Sequence, residues 1–172
     1  RRVELMVRIR GYEEYAQAEG MQAVFYTITA PSQYHANSKK YNNATPKETQ
    51  AFLVNQWAKV RAELSKEGVP VFGVRVVEPH HDATPHWHML LFMKPKHESE
   101  TTSTIKKYAM QIDGDEQGAA KARFTAEYID PAKGSAVGYI AKYISKNINA
   151  NHVEGETDHE TGGEFNAVDG LV

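Results

Sequence analysis

Two histidines separated by one residue are the first feature of this sequence that could carry out chemistry. His86-Trp87-His88 opens an apolar segment of the kind that forms a covered β-strand. Alternate side chains of a strand share a face, so both imidazoles can point at one ion. Glu78 ends another strand-like segment, and a hairpin closed through residues 79–85 would bring its carboxylate beside them. Two imidazoles and a carboxylate suit Mg²⁺, Mn²⁺ or Zn²⁺ with positions left open for a substrate.

The other histidines have no comparable spacing. His80 and His81 lie in the expected hairpin turn, and we interpret them as spectators or occasional outer ligands. The sequence identifies no partner for the remaining four, which are His35, His97, His152 and His159. In a chain with 8 histidines, the His-x-His pattern could also arise by chance on a solvated face. The apolar segment that follows the pair favours a position at the rim of a core instead.

Two tyrosines form a second candidate set. Tyr139 and Tyr143 stand at i and i+4 in a segment with helical periodicity, so they share one helix face. Lys142 and Lys146 lie on the same broad side of that helix. A phenol has a pKa of about 10 and is a poor nucleophile at neutral pH unless positive charge favours the phenolate. The tyrosines could instead anchor the helix in the core, although the segment already has a separate apolar stripe.

The elements that must position these residues follow from the periodicity of the apolar side chains. Apolar alternation and apolar runs predict strands over residues 22–29, 69–78, 86–93 and 122–129. Helical periodicity predicts helices over residues 3–20, 45–66, 99–112 and 134–148. The second helix has the clearest start, because Thr45 can cap it and Pro46 and Glu48 suit its first turn. This order includes a hairpin, so it predicts an α+β fold with an antiparallel sheet rather than a regular βαβ winding.

The composition is that of one globular domain. The chain has 172 residues, of which 41% are hydrophobic and 24% are charged. It contains no cysteine, which excludes disulfides and thiolate metal sites and suits a reducing cytoplasm. The longest purely apolar run, residues 89–93, is too short to span a bilayer, so we expect no membrane partner. Net charge is −2, but residues 1–153 carry 20 basic and 16 acidic groups, which permits a phosphate-bearing partner.

Three motifs resemble those of the HUH endonucleases, and most closely those of the replication gene A proteins of tailed phages. Residues 25–32 are similar to the first motif of that family, Glu78 with His86-Trp87-His88 to the second, and Tyr139 with Tyr143 to the third. The resemblance spans about residues 22–148. It implies a central antiparallel sheet of about five strands with helices packed on it.

The resemblance also implies a metal-dependent nickase that acts on single-stranded DNA and initiates rolling-circle replication. A tyrosine hydroxyl would attack the scissile phosphate, form a 5′-phosphotyrosine and free a 3′-hydroxyl, and the second tyrosine would act at the next cleavage. One Mg²⁺ or Mn²⁺ ion would be held by Glu78, His86 and His88. The positive neighbours of the two tyrosines would be Lys142 and Lys146. We expect DNA contacts from Tyr26, Thr27, Lys39 and Lys40.

The expected partners are single-stranded or hairpin origin DNA, together with a host helicase and polymerase. A phage-encoded protein of this kind would act in the cytoplasm of its bacterial host. We expect residues 1–150 to form the endonuclease domain. Residues 151–172 are polar and acidic, and we expect them to lead into further domains of a longer protein.

Three other functions remain open from the sequence. A transposase or a plasmid relaxase of the same superfamily would share the fold and the metal site. A non-catalytic module for single-stranded DNA would use aromatic stacking platforms and a lysine-lined groove, formed by Tyr26, Tyr34, Trp87, Lys39, Lys40 and Lys47. A structural metal domain would need a fourth ligand that the sequence does not identify.

Overall fold

The computed structural model describes residues 2–148 of the chain, with side chains from residue 3 to residue 145. The expected acidic segment over residues 151–172, His152 and His159 therefore lie outside the described residues, as does the side chain of Lys146. The helices of this part are α1 (Arg2–Ala18), α2 (Pro46–Lys66), α3 (Glu98–Ala109), α4 (Ala119–Ala122) and α5 (Ala136–Ile148). The strands are β1 (Gln22–Thr29), β2 (Phe72–Pro79), β3 (Pro85–Met93) and β4 (Phe124–Tyr128).

The strands form one antiparallel sheet in the order β2-β3-β1-β4, which confirms the α+β class. Within residues 2–148 the sheet has four strands, so the expectation of about five was wrong by one. The fifth strand was implied by the resemblance and not by any apolar segment of the chain. The polar stretch between β1 and α2 forms a short 3-10 helix, Ser32–Tyr34, followed by turns. It has no alternating apolar side chains to bury against a sheet edge.

The two faces of the sheet bury separate cores. Side chains of α2 and α3, such as Leu53, Leu64 and Ile105, pack against one face. Side chains of α1 and α5, such as Ile9 and Ile140, pack against the other. All nine residues of β3 are buried, as expected for a central strand that is covered on both faces. Packing on both faces of β3 therefore fixes the positions of His86 and His88 at the start of the strand.

The start of α2 was predicted correctly. The Thr45 side chain accepts a hydrogen bond from the Glu48 backbone amide, and the Glu48 carboxylate accepts one from the Thr45 amide. This reciprocal cap satisfies two amides at the end of the helix that would otherwise have no helical partner. Gly68, just beyond the helix, adopts a φ of +69°, a left-handed conformation that suits glycine after a helix end. None of the helices within residues 2–148 is both long and apolar enough to cross a membrane.

Candidate active site

The β2–β3 hairpin brings the predicted second-motif residues together. Glu78 is the cross-strand neighbour of His86, as the sequence predicted. Its carboxylate reaches diagonally to the next histidine, with 2.6 Å between Glu78 Oε2 and His88 Nε2. The side chains of Glu78 and His88 are only 12% and 4% exposed. The centroids of the His86 and His88 rings are 4.6 Å apart, so two imidazoles and a carboxylate form one buried polar cluster.

Two threonines of β1 orient the histidines. Thr27 Oγ1 lies 3.1 Å from His88 Nδ1, and Thr29 Oγ1 lies 2.9 Å from His86 Nδ1. Each threonine is the direct neighbour of its histidine in the β1–β3 ladder. A hydroxyl can both donate and accept, so it supports either tautomer of the imidazole. Fixing Nδ1 in this way is the usual means by which a protein orients a histidine that binds through Nε2.

Burial, together with the neighbouring imidazoles of His88, His80 and His35, holds the pKa of His86 well below its usual value. His86 is therefore neutral at physiological pH, which is the form that can bind a metal ion. The chemistry of the donor set thus fits a divalent cation. As the side chains stand, however, no group of three or more His, Asp or Glu residues within residues 2–148 surrounds a common point where an ion could sit. Glu78 and His88 instead bond directly to each other.

The turn between β2 and β3 adds a contact that the sequence does not predict. His80, which the sequence suggests as a spectator or an outer ligand, has its Nε2 2.6 Å from His86 Nδ1. Ala83, with a φ of +64°, lets the turn close, and the His80 backbone amide bonds Thr84 O at 2.9 Å. The sequence of the turn, with a proline at each end, does not predict this contact, because the contact depends on how the backbone folds back over β3.

His35, for which the sequence offered no partner, is also tied to this turn. Its Nδ1 lies 3.2 Å from Asp82 Oδ2, and its Nε2 lies 3.1 Å from the carbonyl oxygen of Ala30. Both of these atoms only accept hydrogen bonds, so the imidazole of His35 is held between two acceptors. Burial alone would raise the pKa of Asp82, but hydrogen bonds from His35 and Thr84 outweigh it and hold the pKa well below 3.8. The Asp82–His35 pair therefore fastens the loop after β1 to the turn that carries His80.

Replacing Asp82 with asparagine should lower the free energy of unfolding at neutral pH by about 2 kcal/mol, because a buried hydrogen bond to a charged group is lost. Since the folded-state pKa of Asp82 is depressed, its stabilisation is complete above the unfolded pKa of about 4 and disappears as the pH falls further. The difference between wild type and Asp82→Asn should therefore shrink in urea denaturation series taken from about pH 4 downward. A difference that stays constant over this range would contradict the assignment.

Helix α5 places the two tyrosines over the same face of the sheet. The Tyr143 ring stacks on the His88 ring with 3.8 Å between centroids and 27° between planes. Tyr139 lies one helical turn earlier, and its hydroxyl donates a hydrogen bond to the Glu127 carboxylate on β4. Phe25 of β1 lies between them, 5.0 Å from the Tyr139 centroid and 5.2 Å from that of Tyr143. Both tyrosines are partly buried and pack against the core beneath α5. They therefore help to anchor the helix, but neither is fully buried as a pure core anchor would be.

The ammonium group of Lys142 lies over both phenol rings, 5.1 Å from the Tyr139 centroid and 4.8 Å from the Tyr143 centroid. A cation over an aromatic face is attracted by the ring and adds positive charge to the site. Lys142 thus lies where the sequence placed it. Lys146 is on the same helix, but its side chain is outside the described part.

Two of the four predicted DNA contacts are buried. Tyr26 points to the opposite face of the sheet, is 0% exposed and bonds Thr102 at 2.8 Å. Because its ring has no face open to a base, the prediction that Tyr26 contacts DNA is wrong. Burial also raises its pKa to about 12. Thr27 is 7% exposed and orients His88, so its place is beneath the site. Alternation along β1 separates the two residues.

The two lysines predicted to contact DNA lie on the loop after β1. Lys39 is exposed, and its role stays a prediction. The Lys40 ammonium lies 2.6 Å from Glu116 Oε1, and the same carboxylate bonds Ser32 and the buried Arg123. This network joins the loop to the segment before β4. A cavity of about 600 Å³ opens between these segments and the His80 turn, and its lining includes Asn37, His81 and Lys121.

Taken together, these contacts define an α+β domain whose sheet carries a histidine–carboxylate cluster beneath a helix with two tyrosines. The model of the bacteriophage replication gene A protein family matches residues 1–151 of the chain. The chain belongs to this family.

Three relatives with curated descriptions illustrate the similarity. The chain is 84% identical over 172 residues to the "Probable replication protein P12" of Pseudoalteromonas phage PM2, a match that covers 100% of this chain and 27% of that protein. It is 52% identical to the "Replication gene A protein" of Escherichia phage 186, over 94% of this chain and 25% of that protein. It is 43% identical to a "Probable replication endonuclease from prophage-like region" of Salmonella paratyphi A, over 94% of this chain and 21% of that protein.

The chain therefore spans about a quarter of the length of the curated relatives it matches. No solved structure is significantly similar to it.

Proposed function

We propose that this domain is a metal-dependent endonuclease that nicks and rejoins single-stranded DNA to initiate rolling-circle replication of a phage genome. The observation that carries the proposal is the stacking of Tyr143 on His88, because it places a phenol beside a buried pair of histidines and a carboxylate. A prophage relative is described as a probable replication endonuclease. This description agrees with a reaction at a phosphodiester.

In the proposed reaction, the Tyr143 hydroxyl oxygen attacks the scissile phosphorus and loses its proton to solvent. The bond from phosphorus to the 3′ oxygen breaks, and that oxygen takes up a proton to become a free 3′-hydroxyl. The 5′-phosphate remains esterified to the tyrosine, so the energy of the phosphodiester is kept for rejoining. A tyrosine is suited to this role because the phenol–phosphate bond can be attacked in turn by a 3′-hydroxyl.

Glu78, His86 and His88 would hold one Mg²⁺ or Mn²⁺ ion. For this, His88 must exchange its hydrogen bond with Glu78 for a bond to the ion, because its Nδ1 is bonded to Thr27 and its Nε2 is the remaining ring nitrogen. When bound, the ion supplies a positive charge that offsets the negative charge developing on the phosphate oxygens. Thr27 and Thr29 keep both imidazoles oriented, and Lys142 adds positive charge over the two phenol rings.

The cavity beside His80 offers a path by which a single strand could approach the histidines. The free 3′-hydroxyl left by cleavage is the primer that a host polymerase needs, and a host helicase would open the duplex ahead of it. The alternative of a non-catalytic binding module is less well supported. Two of its three proposed stacking platforms, Tyr26 and Trp87, are 0% and 1% exposed.

The decisive experiment is to trap the covalent intermediate. The protein is incubated with Mn²⁺ and a library of single-stranded oligonucleotides, one sample labelled at the 3′ end and another at the 5′ end. The proposed chemistry transfers the 3′ label to a protein band that survives SDS, whereas the 5′ label leaves with the released fragment. Transfer of the 5′ label, or free fragments without any adduct, would overturn the phosphotyrosine reaction. Duplex oligonucleotides of the same sequences should yield less adduct.

A further inference from the structure

The two tyrosines occupy different environments, although the sequence presents them as an equivalent pair. Helix α5 passes over the sheet so that Tyr143 lies on His88 of β3, while the Tyr139 hydroxyl is bonded to Glu127 of β4. Strand β1 separates β3 from β4. Because neighbouring strands are about 4.8 Å apart, Glu127 belongs to a strand roughly 10 Å from the strand of the histidines.

The strand register confirms this separation. Glu127 pairs with Phe25 of β1, whereas His88 pairs with Thr27. Phe25 and Thr27 are alternate residues of β1. Glu127 and His88 therefore lie on the same face of the sheet but are offset by two residues along the strand direction. The Phe25 ring fills the space between the two tyrosine rings. Tyr139 is therefore bonded on the β4 side of Phe25, and Tyr143 lies on the histidine side.

We propose that Glu127 is a positioning residue that holds Tyr139 away from the histidine cluster, so that Tyr143 makes the first cleavage and Tyr139 acts only after its hydroxyl leaves Glu127. The inference rests on the proposed function. A hydrogen bond from a phenol to a carboxylate is charge-assisted and stronger than a neutral one. It favours the observed Tyr139 rotamer by roughly 10-fold over a rotamer that makes no such bond.

The protonation of Tyr139 supports the same order. Burial and the bonded Glu127 carboxylate raise the pKa of Tyr139 above its usual value. A phenol beside a carboxylate keeps its proton more tightly, so Tyr139 is a poorer nucleophile while it is bonded to Glu127 than after its hydroxyl has left that carboxylate. Glu127 itself is exposed on the edge strand, so its role is not to support the core.

The test measures how the first covalent adducts are divided between the two tyrosines. Wild-type protein, Glu127→Gln and Glu127→Ala are each mixed with 3′-labelled single-stranded DNA and Mn²⁺, quenched within one turnover, and mapped by peptide mass spectrometry. Wild type should carry its adduct mainly on Tyr143. The share on Tyr139 should rise by roughly 5- to 10-fold in Glu127→Ala and by less in Glu127→Gln, because an amide still accepts a hydrogen bond but a weaker one.

Glu100→Ala is the matched control, since it removes an exposed carboxylate from α3 on the opposite side of the sheet. Its adduct distribution should equal that of wild type. In a Tyr143→Phe background, Glu127→Ala should also speed adduct formation on Tyr139. An unchanged or reduced Tyr139 share in Glu127→Ala would overturn the inference while leaving the nuclease intact. A wild-type protein that forms no adduct on either tyrosine would instead overturn the proposed function, and the inference with it.

Discussion

Replacing His86 and His88 together with alanine should lower the rate of DNA cleavage by roughly 100-fold or more, because the group that offsets charge on the phosphate loses two of its three proposed ligands. The readout is the rate at which the SDS-resistant adduct appears in Mn²⁺. Binding of Mn²⁺, measured by calorimetry without DNA, should be lost in parallel. These two measurements together separate a failure of chemistry from a failure of metal binding.

The control for this prediction is His97→Ala, because His97 follows the far end of β3 and is remote from the cluster. It should bind Mn²⁺ and cleave as wild type does. Since His86 and His88 are 4% and 3% exposed, circular dichroism must show that the double variant is folded. If it is not, His88→Gln keeps most of the volume and should still weaken Mn²⁺ binding. A folded double variant that cleaves at the wild-type rate in EDTA would show that the metal assignment is wrong.

The sequence predicted the parts of this site that depend on local pattern. The pair His86 and His88 follows from the alternation of a single strand, and the place of Glu78 follows from a short hairpin whose register the structure confirms. The pairing of Tyr139 with Tyr143 follows from the period of one helix. In each case the interacting residues are close in the chain, so few arrangements of the backbone are possible.

The partners that the sequence did not reveal come from distant segments. Thr27 and Thr29 reach the histidines through the β1–β3 ladder, across a separation of about sixty residues. Glu127 reaches Tyr139 because β4 pairs with the other side of β1. The one available signal was the Thr-x-Thr alternation at the end of an otherwise apolar strand. Two hydroxyls on the same face of a buried strand indicate polar side chains opposite them.

The prediction that Tyr26 contacts DNA was wrong for a related reason. The alternation of β1 showed two faces, but it did not show which face carries the site. The structure answers this through β3, where His86 and His88 share a face with the threonines, while Trp87 shares the other face with Tyr26. On a strand buried on both sides, the pair Thr27 and Thr29 is the only mark of the polar face, and alternation places Tyr26 on the other face.

Replacing both Tyr139 and Tyr143 with phenylalanine should eliminate every covalent adduct, because phenylalanine keeps each ring and deletes only the nucleophilic oxygen. The single variants should differ. Tyr139→Phe should retain most of the first cleavage, since Tyr143 is the tyrosine that contacts His88. Tyr143→Phe should slow the first cleavage more strongly, and both single variants should fail in the paired cleavage and joining that ends a replication round. The adducts are measured on SDS gels and located by mass spectrometry.

Tyr128→Phe is the matched control, because Tyr128 is 50% exposed on β4 and, as the cross-strand neighbour of Val24, lies on the opposite face of the sheet from the histidines. It should behave as wild type. The double Tyr→Phe variant should lose about 1 kcal/mol of stability with the Tyr139–Glu127 hydrogen bond and little more, since the ring stack on His88 and the packing on Phe25 do not need the hydroxyls. A nucleotide found on Tyr26 or Tyr128 would contradict the assignment directly. A large drop in melting temperature, with adducts still formed, would instead show that the two hydroxyls serve the stability of the fold and not the cleavage reaction.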